Sequence, residues 1–498
     1  MTLDNCDKEP IHIPGAIQAH GVLVALDPSR VITHLSVNAE DCLGLPLALG
    51  GFWDDVTRNA DACWDAALQV PAMEDLPCRF EARGPAGRMV DVLWSAQPHG
   101  WLLEIETQPV ALVGAAHESG AAGAAAVHSL CERVIRAPNL DRLLEWVVDG
   151  VRQATGFDRV MAYRFRHDDS GEVVAESCLD SLVPFLGRVY PASDIPAQAR
   201  RLYTVKMLRG IADVHAQPVA VVGLPDAAPL DMSQGELRSV SPIHIEYLQN
   251  MGVGASLSLS IVVQGRLWGL VACHHHNAHR VSVRTRMALE VMACLLGARV
   301  EDWQRRELQA RQARVKAFSA RLSLEMARRA DTLNVLGEQA SAWLSQWQAD
   351  AWLVCLDGQV MASQPHIEAL WPALLDWLSE HPANMPFTHR AQDWPSEGFG
   401  MAGLLAMRFS DVQQAWVCLF RPEQVHTLRW GGKPEKLVKI GPLGPRLTPR
   451  GSFEEWRQEV LGTSVPFSAD DLALAEQLRQ TLYRVRAELA LERKGGMA

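Results

Sequence analysis

The residues best able to do chemistry are a thiol near the start, a carboxylate in a proline-bounded loop and a run of histidines. Cys6 stands in a polar stretch, Asn5-Cys6-Asp7-Lys8-Glu9-Pro10, where it could reach a pocket and bond a ligand or be an ordinary surface cysteine at a chain end. Asp194 precedes Ile195-Pro196, a pattern that fits a helix N-cap and equally a carboxylate facing a cation. His274-His275-His276 invites a metal reading, but neighbours in a strand face opposite ways, so three consecutive histidines cannot converge on one ion. No metal site is expected. Arg209 and Arg238 suit carboxylates through paired donors, although a lone arginine is as well read as a solvated surface charge. Tyr163, Phe185 and Tyr190, taken singly, belong to a core.

The elements that hold these groups come from a chain of 498 residues, too long for one hydrophobic core, so two to four domains are expected. Net charge is −11, from 47 basic and 58 acidic residues, which gives no electrostatic reason to expect a nucleic-acid partner. No run of about 18 apolar residues exists, so a membrane span is not expected. The acidic, polar start cannot serve as a signal peptide. Ten scattered cysteines without CxxC pairs point to reduced thiols and a cytoplasmic protein.

Three domains emerge. Residues 1–112 mix strand and helix, with strand signals at 88–94 and 101–106. An Ala/Gly-rich stretch, 114–126, reads as a linker. The second domain, 127–305, carries strand signals at 160–165 and 171–176, and a hairpin of 256–263 and 266–273 around Gln264-Gly265. From about Thr285 no proline occurs until Pro365, and Leu289, Met292, Leu296, Val300 and Trp303 make one helical stripe. Val315, Phe318, Leu322 and Met326 continue it, for about 45 residues or roughly 65–70 Å of helix. Such a rod should bridge two domains and pair with another copy in a parallel homodimer along 285–333. The third domain, 308–498, has strand signals at 351–356 and 415–420, an insertion at 430–453 with five glycines and four prolines, and a closing helix at 468–491 that Ser468 could cap. No fixed-period repeat is visible.

Several motifs together resemble the photosensory core of bacteriophytochromes. They are Cys6-Asp7-Lys8-Glu9-Pro10-Ile11-His12-Ile13-Pro14-Gly15-Ala16-Ile17-Gln18-Ala19-His20-Gly21, then Pro191-Ala192-Ser193-Asp194-Ile195-Pro196, Tyr247-Leu248-Gln249-Asn250-Met251-Gly252-Val253, Leu267-Trp268-Gly269-Leu270-Val271-Ala272-Cys273-His274-His275 and Pro449-Arg450-Gly451-Ser452-Phe453. They fall in family order across nearly the whole chain. The resemblance implies an α+β fold of PAS, GAF and PHY domains, each an antiparallel sheet with flanking helices. These are joined by a helical spine, with an N-terminal knot centred near Ile17 and a PHY "tongue" at about 425–457.

The resemblance also implies biliverdin held by a thioether to Cys6. Plant-type phytochromes place the cysteine immediately before the histidine that His244 matches; that position here is Ile243. Cys178 and Cys273 are read as small buried residues. In family terms Asp194, Ile195 and Pro196 face the pyrroles, and His244 and His274 supply hydrogen bonds to them and to ring D. Arg209, Arg238, Ser241, Tyr247, Ser256 and Ser258 hold propionates or pocket hydroxyls, and Tyr163, Phe185 and Tyr190 surround ring D. Asp194 with Arg450 and Ser452 of the tongue would form the switch.

The function so implied is red/far-red photoreception, with chromophore isomerisation refolding the tongue and signalling through the helical spine. Only Glu492-Arg493-Lys494-Gly495-Gly496-Met497-Ala498 follows Leu491, too little for a kinase, so no enzyme is expected within the chain. The alternative is the sensory part of a light-regulated histidine kinase or other output protein. A PAS/GAF sensor of small ligands is the reading from another class, which Cys6 and the tongue motifs disfavour. The output partner is not legible.

Overall fold

The computed structural model describes residues 9–58, 60, 68–84, 89–107, 113–329, 331–381, 385–390, 394, 400–410, 414–423, 426–432, 437–441, 444–448, 453–460 and 463–495. The chain divides into two compact units, Met1–Glu301 with Arg429–Trp456, and Asp302–Leu428 with Arg457–Ala498.

In the first unit, alternating apolar residues build an antiparallel sheet from Gly21–Leu26, Ile32–Ser36, Cys78–Arg83, Met89–Gln97 and Gly100–Thr107. One face buries Trp53, Trp94, Val92 and Leu103. At its edge lie two short strands from distant parts of the chain, Ala16–Ile17 and Val219–Gly223. Ile17 pairs with Val219 on one side and bridges Arg238 on the other. The amide of Gln18 donates to Leu237 O at 2.7 Å, and that of Ser239 to Ala16 O at 3.0 Å. The N-terminal segment thus lies between the two arms of the 219–238 loop, with Ile17 fully buried among Leu23, Leu102, Met232 and Leu237.

A second antiparallel sheet runs in the order Leu208–Ile211, Ala255–Val263, Arg266–His275, Arg159–Phe165, Gly171–Cys178 and Val189–Tyr190. The Gln264-Gly265 hairpin has φ of 50° and 73°, the left-handed pair that a two-residue turn demands. Trp430 adds in parallel beyond Val189. The insertion that the resemblance reads as the tongue continues as the antiparallel hairpin Leu437–Gly441 and Gly444–Thr448.

The 114–126 segment is not a linker. It lies within the helix Val113–Arg136, because alanine is the strongest helix former and the small residues permit close packing. A Cβ on Gly123 would stand 2.6 Å from the Thr285 hydroxyl and 2.8 Å from Ala154 O.

The seam between the first two domains is a buried ion network. Arg286 donates to both carboxylate oxygens of Glu106 (2.7 and 2.9 Å) and to Glu236 (2.6 Å). Arg280 joins Asp91 and Glu106, Lys206 and Arg79 join Glu236, and Arg79 also reaches Glu290. Glu104 accepts the backbone N–H groups of Glu236 (2.9 Å) and Leu237 (2.7 Å).

The predicted long helix is Val283–Arg328, 46 residues with members in both units. Leu289, Met292, Leu296 and Val300 are buried in the first unit, and Val315, Phe318, Leu322 and Met326 in the second. The stripe that suggested pairing with another copy is therefore core. The second unit is a five-stranded antiparallel sheet, Gln359–Ala362, Ala351–Leu356, Ala415–Pro422, Met401–Arg408 and Phe387–Arg390, with cores on both faces. Its closing helix, Ala469–Gly495, starts at the expected cap: Asp471 N donates to Ser468 Oγ at 3.1 Å and Ser468 N to Asp471 Oδ2 at 2.8 Å.

Candidate functional site

The second sheet, the 191–206 segment and the helix Pro242–Asn250 enclose a cavity of about 310 Å³. Tyr163, Tyr190, Asp194, Ile195, Pro196, Arg209, Arg238, Ser241, His244, Tyr247, Ser256, Ser258 and His274 all line it. These residues span more than a hundred positions of sequence, and the fold brings them to one surface. Phe185 stands apart, packed behind Tyr190 with ring centroids 6.5 Å apart. Cys6, Arg450 and Ser452 lie outside the described residues.

At one end are the two guanidinium groups, which do different things. Arg209 donates to the backbone carbonyls of Glu236 (2.8 Å), Arg238 and Ser239 (3.4 Å), so it braces the loop that carries its neighbour. Arg238 donates Nη1 to Ile11 O at 2.7 Å, tying down the N-terminal segment. Its Nε is buried with no acceptor among the described residues, and the residue is 8% exposed. A buried cation without a carboxylate partner is costly, and an anionic oxygen in the cavity would stabilise the guanidinium. Burial, reinforced by Arg238, lowers the Arg209 guanidinium to about 9, still charged at neutral pH.

In the middle, burial pushes His244 down to about 4, helped by the Arg209 charge, and His274 down to about 3, helped by Arg159. Both rings are neutral near pH 7 and can donate and accept hydrogen bonds without bringing charge. His244 lies parallel to Tyr247, 6.0 Å between centroids, and the Tyr247 hydroxyl donates to Asp194 Oδ2 at 3.2 Å. Asp194 is not a helix cap: it closes the 3-10 turn Ala192–Asp194, and Pro196 stands at the N-cap of Ala197–Val205.

At the aromatic end, Tyr163 packs 6.1 Å from Tyr190. Gly171 is obligatory there, since a Cβ would meet the Tyr163 ring at 1.7 Å. Tyr190 in turn is overlain by the tongue, where a Cβ on Gly431 would come within 2.5 Å of its ring. The tongue's two arms are joined by Arg429 and Glu455 at 2.6 Å, and the Phe453 ring meets Tyr247 edge-on at 5.0 Å.

Sequence reasoning assigns no role to Glu9, Ile11, Leu202, Tyr203 or Lys206, yet all line the cavity. Glu9 accepts from the Ser241 hydroxyl at 2.9 Å. Glu9 and Ile11 sit inside the N-terminal motif, and Ala199, Leu202, Tyr203 and Lys206 recur at helical spacing after Pro196, so the signal was present. Of the cysteines read as buried, Cys273 is fully so and Cys178 only half-buried. Among the described residues no cluster of histidine, cysteine and carboxylate groups could hold a metal ion.

With this geometry in hand, family models match along the chain: the PAS fold over residues 6–72, the GAF domain over 139–300 and the phytochrome region over 315–490. The chain is 39% identical over 512 residues to a bacteriophytochrome of Pseudomonas aeruginosa, covering 99% of this chain and 68% of that protein. It is 31% identical to cyanobacterial phytochrome B of Nostoc, covering 99% and 67%. Among solved structures, the photosensory core module of the Stigmatella aurantiaca phytochrome superposes with a TM-score of 0.79 at 35% identity, covering 98% of this chain and 99% of that one. The chain belongs to the phytochrome family of red/far-red photoreceptors, with PAS–GAF–PHY architecture.

Proposed function

We propose that this chain senses red and far-red light through biliverdin bound in the 310 Å³ cavity and joined by a thioether to Cys6. The observation that carries the reading is Arg238, a buried guanidinium that lines the cavity and has no ion pair with a carboxylate among the described residues, beside the neutral pair His244 and His274. A flat tetrapyrrole with carboxylate arms suits that set: a cation at one end, neutral hydrogen-bonding rings in the middle, aromatic faces at the other. Glu9 lines the cavity three residues after Cys6, a tether of roughly 11 Å at most, so the thiol is within reach.

When bound, biliverdin supplies light absorption and isomerisation at the double bond beside ring D. The protein's part is to hold and respond. Arg238 takes a propionate, with Arg209 stiffening the loop beneath it. His244, His274 and the Asp194 carbonyl orient the pyrrole and ring D polar groups. Tyr163 and Tyr190 bound the space in which ring D turns. The Asp194 carboxylate exchanges between Tyr247, its partner in this structure, and Arg450 of the tongue, and the tongue leaves its β-hairpin form for another fold. The 16–18 segment, held by both arms of the 219–238 loop, is the family's knot.

Signalling runs through a homodimer. The apolar seam for it is Met287 (41% exposed), Val291 (65%) and Cys294, at spacings of four and three on the outer face of Val283–Arg328. We place the receptor in the cytoplasm; among the described residues no helix is long and apolar enough to cross a membrane. The chain would serve as the sensory part of a longer output protein, histidine kinases included.

The test is direct. Purified protein mixed with biliverdin should develop a red-absorbing band that converts reversibly under red and far-red light. Cys6→Ala should lose zinc-induced bilin fluorescence on a denaturing gel. Asp194→His should keep the bilin but stall photoconversion and raise fluorescence. Absence of any red band in the wild type would sink the proposal, and a covalent band persisting in Cys6→Ala would move the attachment site.

A further inference from the structure

The returning arm of the tongue meets the second domain at Phe453, which packs on the Tyr163–Tyr190 cluster and makes two further contacts. The ring packs edge-on against Tyr247, whose hydroxyl sits on Asp194. The Phe453 carbonyl accepts a hydrogen bond from Arg188 Nη1 at 2.8 Å. Arg188 does not line the cavity, but it directly precedes Val189 and Tyr190, which contact the outgoing arm at Trp430 and Gly431. Three consecutive residues therefore touch both arms at the tongue's base.

Arg188 is an unusual group to find there. It is 5% exposed, and its backbone is fixed at both ends, donating to Phe185 O at 2.9 Å and accepting from Val173 N at 3.0 Å. Its guanidinium carbon lies 4.7 Å from the centre of the Phe185 ring. The same ring carries Arg159 at 3.7 Å, but Arg159 is neutralised by Glu176 and also donates to Val183 O at 2.8 Å. Arg188 has no carboxylate within ion-pair distance among the described residues, and its buried Nε has no acceptor among them. Among the described residues its charge is stabilised by one aromatic face and one tongue carbonyl. A buried cation with so few partners loses heavily when one is withdrawn.

We infer that Arg188 is the positioning residue through which the cavity wall holds the tongue's returning arm, and that engagement of the Phe453 carbonyl by Arg188 sets the Tyr247 ring and its hydroxyl on Asp194. This latch is distinct from the Asp194–Arg450 pair, because Arg188 binds the tongue's main chain at the Phe453 carbonyl. Only a guanidinium can do it: the planar cation lies on Phe185 while an N–H in its plane reaches a carbonyl, which an ammonium cannot reproduce. The effect on photochemistry rests on the photoreceptor reading; the docking itself does not.

The experiment compares wild type, Arg188→Leu and Arg188→Lys as full chains, with and without biliverdin, in darkness. Amide hydrogen exchange around Phe453 should quicken about tenfold or more in Arg188→Leu, the loss expected for one charge-assisted hydrogen bond. Arg188→Lys should not restore slow exchange, and Phe185→Leu, which leaves the donor in place, should give an intermediate rate. Bilin uptake should stay at the wild-type level in the Arg188 variants, while thermal reversion between photostates changes by a similar factor. Tyr247→Phe should add little to Arg188→Leu in reversion rate, because the two act in one chain of contacts. Unchanged exchange at Phe453 in Arg188→Leu, or full additivity with Tyr247→Phe, would overturn the assignment. Should wild type fail to take up biliverdin, the photoreceptor reading falls, and exchange in the bilin-free chain still decides the role of Arg188.

Discussion

The seam between the first two domains and the cavity beside it are both crowded with buried titratable side chains, and they resolve burial in opposite ways. In the seam, burial alone would raise Glu106 and Glu236, yet Arg286 foremost, with Arg280 for one and Lys206 and Arg79 for the other, holds both carboxyls well below the usual range. At these two groups charge is kept and matched, while burial lifts their neighbours Asp91 and Glu104 to about 6 and about 7. In the cavity, burial wins: His244 and His274 give up their charge, and Arg238 donates to a backbone carbonyl, Ile11 O. The contrast separates a joint whose cations face carboxylates from a surface whose cations face backbone carbonyls and neutral rings. Lys206 and Glu236 connect the two, since Lys206 lines the cavity while pairing with Glu236 in the seam at 3.0 Å.

Breaking the joint should cost most. Arg286→Met leaves Glu106 and Glu236 buried without their shared cation, and should lower the stability of the bilin-free protein by about 3–5 kcal/mol in urea denaturation. A loss under about 1 kcal/mol would mean that the seam is hydrated and its charges need no partner. In the cavity, Arg238→Met removes the bond to Ile11 O, about 1.5–3 kcal/mol, and should weaken biliverdin uptake about tenfold or more. Uptake at wild-type affinity would assign the propionate to another residue.

The smallest effect is on pH dependence, and its sign differs from group to group. His20, His244 and His274 have folded-state values of about 4, 4 and 3 against an ordinary 6.5. The unfolded chain therefore takes up protons first, and stability present above pH 6.5 is lost as pH falls toward 4. Glu104 opposes this. Burial lifts it to about 7, so its contribution is complete below the ordinary 4.5 and is lost as pH rises through 7. His244→Gln should flatten the acid-side slope of stability by at most about 1.4 kcal/mol per pH unit. An unchanged slope would mean that His244 is charged in the folded protein.

Much of this was legible in the sequence where a local rule and the tertiary structure agree. The 255–275 hairpin is marked by Gln264-Gly265 between two apolar runs, and Ser468 by its position before a periodic stretch. Most cavity residues are legible only through the family resemblance, because Ser256, His244 and Arg209 carry no periodic signal of their own. The rest hides for identifiable reasons. Alanine and glycine in 114–126 have the composition of a linker, and what makes them helical is packing against residues such as Thr285, far along the chain. The stripe of Val283–Arg328 looks like a coiled-coil seam until the sheets that cover it are known. Phe185 is an aromatic in the right stretch of sequence, and only the fold shows it clasped by Arg159 and Arg188 instead of facing the cavity.

The placement of Ile17 between Val219 and Arg238 constrains the order in which the molecule is made. Contacts separated by some two hundred residues are slow to find by diffusion, and a closed loop is harder still to enter from outside. Synthesis from the N-terminus removes the difficulty. The segment around Ile17 emerges first and pairs with nothing until the 219–238 stretch follows it and closes over a strand already present. A circularly permuted chain that delivers residues 9–26 last should therefore refold far more slowly than the natural order, even where both reach the same final structure.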